Sequence, residues 1–101
     1  MKILTSETFD ESIKEKNNII KFYADWCGPC KRLAPKLEDM SNDFTNLNFF
    51  EVNVEHETEL ASKFGVKGIP HIVHLDQEGK VVNQVVDSDI NKILEMVNNI
   101  E

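Results

Sequence analysis

The stretch IIKFYADWCGPCKRLAP, Ile19 to Pro35, decides how this chain is read. It begins as an apolar run and becomes a helix-like one, in which Leu33, Leu37, Met40 and Phe44 recur at helical spacing. Both cysteines of the chain, Cys27 and Cys30, fall at the junction. Asn18–Ala24 is apolar on both faces, which predicts a buried, central strand. Lys21 is the one charge inside it. Gly28 is expected to let the chain turn sharply after the strand. Pro29 suits the first helical turn, where a missing amide is no loss. Pro35 is expected to bend the helix.

Working outward, short apolar runs alternate with amphipathic ones, the pattern of an α/β domain. Lys2–Leu4 reads as a short first strand. Ser6 is the expected cap of a first helix, with Phe9 and Ile13 on one face. Leu47–Val54 is a second strong strand. Glu57–Gly65 is a short helix stopped by Gly65. His71–Asp76, a turn at Gln77–Gly79, and Lys80–Val86 read as an antiparallel hairpin. A last helix is expected to be capped by Ser88 or Asp87. Its Ile90, Ile93, Leu94, Val97 and Ile100 form a stripe read as core. Helices are thus expected on both faces of a mixed sheet, in a single domain spanning residues 1–101.

The chain has 101 residues, 41% apolar and 29% charged, with a net charge of −7. A domain of this size buries roughly 65% of the surface its unfolded chain exposes, so it stands without metal or disulfide staples. The acidic balance argues against nucleic acid and against an anionic membrane surface as partners. The opening MKILTSETFD lacks a signal peptide's apolar core. No stretch approaches the roughly 20 apolar residues of a membrane span. A soluble, cytoplasmic protein is expected.

A cysteine pair at this spacing has three readings. Half of a zinc site needs two more ligands. His71 and His74 lie three apart on a predicted strand and so face opposite ways; no metal site is expected. A structural disulfide closing so short a loop adds little stability. A redox pair, cycling between dithiol and disulfide, is the reading the residues favour. Cys27 then sits just before a helix, where unpaired amides point at its sulfur. That field favours a thiolate by about 0.3–2 kcal/mol. A shift of about one unit from ~8.5 raises the thiolate fraction at neutral pH from roughly 3% to roughly a quarter. Cys27 is therefore the expected nucleophile, with an exposed sulfur. Cys30, one helical turn inside, is the expected resolving thiol, buried until it acts. Trp26 is expected to pack beside the pair, as a partly buried aromatic and a wall of the docking surface.

WCGPC, Trp26–Cys30, resembles the active-site motif of the thioredoxin family. KFYADWCGPCKRLAP matches through Pro35, GVKGIP (Gly65–Pro70) resembles the family's Gly-Ile-Pro loop, and DQEGKVV matches its hairpin. Order and spacing agree along nearly the whole chain. The resemblance implies the thioredoxin fold, a central five-stranded mixed sheet in the order 1-3-2-4-5 flanked by four helices. It implies a monomeric thiol–disulfide oxidoreductase that reduces protein disulfides. No cofactor is bound; electrons come from NADPH through a thioredoxin reductase. It implies a cis Pro70 and a substrate groove lined by Ile69 and Pro70, with Trp26, Gly28 and Pro29 beside it. Gly-Pro between the cysteines looks like the reducing branch. An oxidase or isomerase variant, and a binding module using the fold as a scaffold, are the alternatives.

Four residues depart from the family pattern. Lys21 stands where thioredoxins usually carry a buried aspartate, and Glu51 where a lysine usually sits opposite it. The charges have changed places, and Lys21 and Glu51 are expected to form a partly buried pair. In that pair Glu51 or water accepts a proton from Cys30; the alternative is a Lys21 that only snorkels to water. His71 follows the predicted cis proline; it is expected to be a half-exposed strand residue, or to tune Cys27. Asp87 stands where a glycine is common in the docking surface. It is expected to cap the last helix or to narrow the range of partners.

Overall fold

The computed structural model describes residues 1–100. Five strands, β1 (Lys2–Ile3), β2 (Asn17–Tyr23), β3 (Leu47–Asn53), β4 (His71–Leu75) and β5 (Val81–Val85), form one sheet in the order β1-β3-β2-β4-β5. The β1, β3 and β2 strands are parallel; β4 runs antiparallel to β2, and β5 antiparallel to β4. Helices α1 (Phe9–Ser12), α2 (Gly28–Asp43), α3 (Thr58–Lys63) and α4 (Ile90–Asn98) flank it.

The alternation of strand side chains sorts the core into two layers. Ile20, Phe22, Phe50, Val52, Val73 and Leu75 pack with Phe9 and Ile13 of the α1 region and Leu60 of α3. Ile19, Phe49 and Ile72 face the other way, against Leu33, Leu37 and Met40 of α2 and Ile93, Met96 and Val97 of α4. The stripe on the last helix is thus core at Ile93 and Val97, while Leu94 is 38% exposed. A central strand buried on both faces needs its polar groups paired. Asn18, fully buried, donates to the carbonyls of Ile13 (3.0 Å) and Leu75 (3.3 Å) and accepts from Asn48 Nδ2 (3.1 Å).

Glycine is required at two bends. Gly65, at φ 63°, ends the α3 turn, and Gly79, at φ 89°, makes the β4–β5 hairpin turn. The α2 helix continues through Pro35, which lies on its exposed side.

Three expected caps fall elsewhere. Ser6 does not cap α1; its amide and hydroxyl both donate to the Glu57 carboxylate, at 2.9 and 2.8 Å. Neither Ser88 nor Asp87 caps α4. Asp89 does, accepting from the amides of Asn91 and Lys92. Strand ends move by no more than one residue, with β2 beginning at Asn17 and β1 ending at Ile3.

His74, on the α2/α4 side, is buried, and its Nε2 faces Asn17 Oδ1 at 3.0 Å. Burial lowers its pKa, with Asp76 pulling weakly the other way. As pH falls, the unfolded chain therefore binds this proton first. Stability contributed by the neutral ring is present above the unfolded value of about 6.5 and is lost as pH falls through the folded one. His74→Gln should flatten this part of the stability profile, measured by urea denaturation from about pH 7 to pH 5.

Candidate active site

The site lies where β2 ends and α2 begins. Cys27 is the N-cap of α2, with Pro29 in the first turn. Its amide donates to the Ala24 carbonyl (3.2 Å), and its own carbonyl accepts from Lys31 (3.1 Å). The Cys30 amide, one of those a helix start leaves unpaired, donates to Cys27 Sγ at 3.2 Å. Cys27 and Cys30 are joined by a disulfide, with Cα atoms 5.3 Å apart. The fixed donor is already in place for negative charge on Cys27 Sγ when the bond is reduced.

Cys27 is 4% exposed and Cys30 2%, so the expected exposed nucleophile is a correction in this oxidised form. Cys27 Sγ is bonded to Cys30, capped by the Cys30 amide, and 4.0 Å from the Ile69 carbonyl oxygen. The covering segment comes from far along the chain. Its Ile69–Pro70 bond is cis, as the resemblance implied. Pro70 is buried and Ile69 half-buried.

Trp26 is 69% exposed, not a partly buried core residue. It stands in solvent beside the pair and offers a large apolar face. Gly28 is also a correction. Its φ is not positive, so no special turn demands glycine there. A Cβ on Gly28 meets only the tip of the Arg32 side chain, at 3.4 Å. Val86 was not singled out from the sequence. It is 56% exposed and 3.8 Å from the Cβ position of Gly68, which continues the apolar surface beyond the Ile69 loop.

Behind the disulfide, β2 and β3 bring Lys21 and Glu51 into register. Their charged atoms are 3.4 Å apart, with side chains 4% and 27% exposed, so the expected pair forms. Lys21 Nζ also lies 4.9 Å from the centre of the Tyr23 ring, a cation–π contact. Lys21 and Glu51 share a cleft of about 370 Å³ with Cys30, Tyr23, Ala24, Asp25, Lys31 and Ala34. Tyr23 and Ala34 carried a sequence signal, two residues from Lys21 along the strand and four from Cys30 along the helix. Burial, then the Glu51 and Asp25 carboxylates, push the Tyr23 phenol up, so it stays protonated.

His71 is buried rather than half-exposed, because its ring turns inward to meet Phe22 at 6.0 Å. Its Nε2 faces Gln84 Oε1 at 2.9 Å, and Nδ1 has no partner among the described residues. Asp87 accepts from the Asp89 amide (2.7 Å) and from Lys92 Nζ (3.0 Å); these contacts lower its pKa, the amide most. Its carboxylate therefore stays charged at the end of the Val86 surface. Among the described residues no group of three or more His, Cys, Asp or Glu is placed to hold a metal ion. No helix among them is long and apolar enough to cross a membrane.

A cysteine pair sharing a disulfide at a helix start, on the end of a central strand, defines the class of thiol–disulfide oxidoreductases. Residues 1–99 match the family model described as Thioredoxin. A thioredoxin of Chlamydia caviae is 32% identical over 99 residues, covering 97% of this chain and 96% of that one. A thioredoxin of Staphylococcus saprophyticus is 36% identical over 84 residues, covering 82% and 80%. Among solved structures, thioredoxins of Plasmodium falciparum and Fasciola hepatica superpose with TM-scores of 0.93 and 0.91, each 28% identical over 100% of both chains. The chain belongs to the thioredoxin family, and it is a thiol–disulfide oxidoreductase acting through Cys27 and Cys30.

Gly28→Ala tests the local reading of α2. With the backbone already helical, the substitution should leave thermal stability unchanged or raise it by up to about 1 kcal/mol. A loss of more than that would show that this turn does need glycine.

Proposed function

We propose that this protein reduces disulfide bonds in other proteins, with Cys27 as nucleophile and Cys30 as resolving thiol. The observation that carries the assignment is the Cys30 amide aimed at Cys27 Sγ at the start of α2. It stabilises charge on Cys27 at the N-cap, whereas Cys30 lies within the first turn of the helix. Cys27 attacks a substrate disulfide and forms a mixed disulfide. Cys30 then attacks Cys27, forming the intramolecular bond and releasing the reduced substrate. Exposed Trp26, the Ile69–Pro70 segment, and Gly28 with Pro29 form the surface on which an extended substrate segment docks.

The Gly-Pro pair between the cysteines supports the reducing direction, through its likeness to the thioredoxins. The same likeness supports a thioredoxin reductase as electron donor, with NADPH as the ultimate source. Lys21 and Glu51 complete the site as a proton-relay pair, in which Glu51, reached through the cleft, takes the Cys30 proton directly or through water. The pair distance and the shared cleft support that role.

Insulin reduction in the presence of NADPH and a thioredoxin reductase tests the assignment. The wild-type protein should turn over. Cys27→Ser should abolish turnover, and Cys30→Ser should stop after one mixed disulfide. Turnover that survives in Cys27→Ser would show another nucleophile; a binding scaffold would give no turnover in the wild type.

Glu51→Gln tests the relay. It should slow turnover, by less than the ~100-fold typical of losing a general base because cleft water substitutes. Unchanged rates and pH profiles in both Glu51→Gln and Lys21→Met remove the pair from the reaction.

A further inference from the structure

We infer that Lys21 makes Cys30 more acidic, so that the resolving half of the exchange is driven by a buried cation under the disulfide. The inference rests on the reading of Cys30 as the resolving thiol, but concerns what sets that thiol's reactivity. Lys21 lies in the middle of the central strand, on the sheet face that α2 covers. Its side chain is 4% exposed, and it lines the same cleft as Cys30.

Every charged or titratable group facing that cleft enters the balance. The β2 strand supplies Lys21 and Tyr23, the segment after it Asp25, α2 Lys31, and β3 Glu51. Two cations oppose two carboxylates, so formal charge does not decide the field at Cys30; position does. Asp25 and Lys31 are exposed and screened by solvent and salt. Tyr23 stays neutral. Glu51 is the more open member of its pair, at 27% exposure. Lys21 is the buried charge, screened least, and an adjacent cation favours the charged form of a thiol. A carboxylate on the same strand position would oppose that form.

The step balances as follows. The Cys30 S–H bond breaks and its proton passes into the cleft, to water or Glu51. The Cys30 thiolate attacks Cys27 Sγ of the mixed disulfide. The Cys27–Cys30 bond forms and the Cys27–substrate bond breaks. The substrate sulfur leaves as a thiolate and takes up a proton, so two electrons have passed from the dithiol to the substrate. Lys21 touches neither substrate nor the reacting bond; it is a positioning residue that acts on the proton equilibrium of Cys30.

The test separates this from lost packing. Mixing the reduced protein with one equivalent of a nitroaryl disulfide gives two releases of coloured thiol. The first reports attack by Cys27 and the second resolution by Cys30. Lys21→Met should raise the Cys30 pKa by about one unit. At neutral pH the thiolate is then about tenfold rarer, but each thiolate is about threefold more reactive, because nucleophilicity rises with basicity. The second release should therefore slow about threefold at neutral pH and quicken about threefold well above both pKa values. The two pH–rate profiles cross, which structural damage does not produce. Lys21→Arg should keep the wild-type profile. If Lys21→Met does not fold, Lys21→Gln deletes the same charge. Profiles that coincide, or a slowing at every pH, or Lys21→Arg behaving like the neutral variant, would each overturn the inference. A first release that persists in Cys27→Ser would instead overturn the assignment of the nucleophile.

Discussion

The hydrogen bond from the Cys30 amide to Cys27 Sγ ties the chemistry to the backbone. It exists because α2 starts at Gly28, leaving the first helical amides without intrahelical partners. One of them meets a sulfur in place of the usual side-chain oxygen of an N-cap. The same contact that starts the helix therefore stabilises the charge on the nucleophile. The associated helix field is worth about 0.3–2 kcal/mol, up to about one and a half pKa units. A small domain obtains this without a metal or a second catalytic base, provided that the helix start is held still.

The sheet order supplies that rigidity. β2 lies between β3 and β4 and is buried along most of its length. It therefore delivers the α2 start from the stiffest part of the molecule. Its neighbours reach the same edge with different contributions. β3, parallel to β2, brings Glu51 opposite Lys21. β4, antiparallel, begins immediately after Pro70 and so places the Ile69 carbonyl over Cys27. A site outside the carboxyl ends of parallel strands is the general habit of open α/β sheets. Here the antiparallel neighbour adds a cover that a parallel strand would not bring to that edge.

Patterns of local origin were legible in the sequence. The apolar run through Phe22, the helical spacing of Leu33, Leu37 and Met40, and the glycine stop at Gly65 each follow from neighbours a few residues away. What escaped depends on distant partners. Ser6 looks like a cap by residue type, yet Glu57 takes its donors across the fold. Ser88, Asp87 and Asp89 are all competent caps; where the chain leaves β5 decides for Asp89, and Asp87 turns to Lys92. Cys27 is covered by a segment 42 residues further on, which no local spacing reveals. Tryptophan is usually well buried, but Trp26 follows the end of β2 and faces solvent. Lys21 and Glu51 were legible as partners because the resemblance fixed the strand register. Their cleft, built from three elements, was not.

The exchanged charge pair explains how a lysine is tolerated inside the central strand while still acting beyond its partner. Burying an ammonium group costs several kcal/mol unless it is paired. Glu51 at 3.4 Å, the Tyr23 ring at 4.9 Å and the cleft together offset that cost. The offset is partial in a useful way. The carboxylate is the more solvated partner, and the separation is longer than that of a short charge-assisted hydrogen bond. Such a partner stabilises the cation but, being partly screened by solvent, does not fully cancel its field in the cleft that Cys30 shares. Had the carboxylate been on β2 and the lysine on β3, the pair would have carried the same net charge and a similar contact. The buried end of its dipole, and with it the charge that Cys30 meets on losing its proton, would have been reversed.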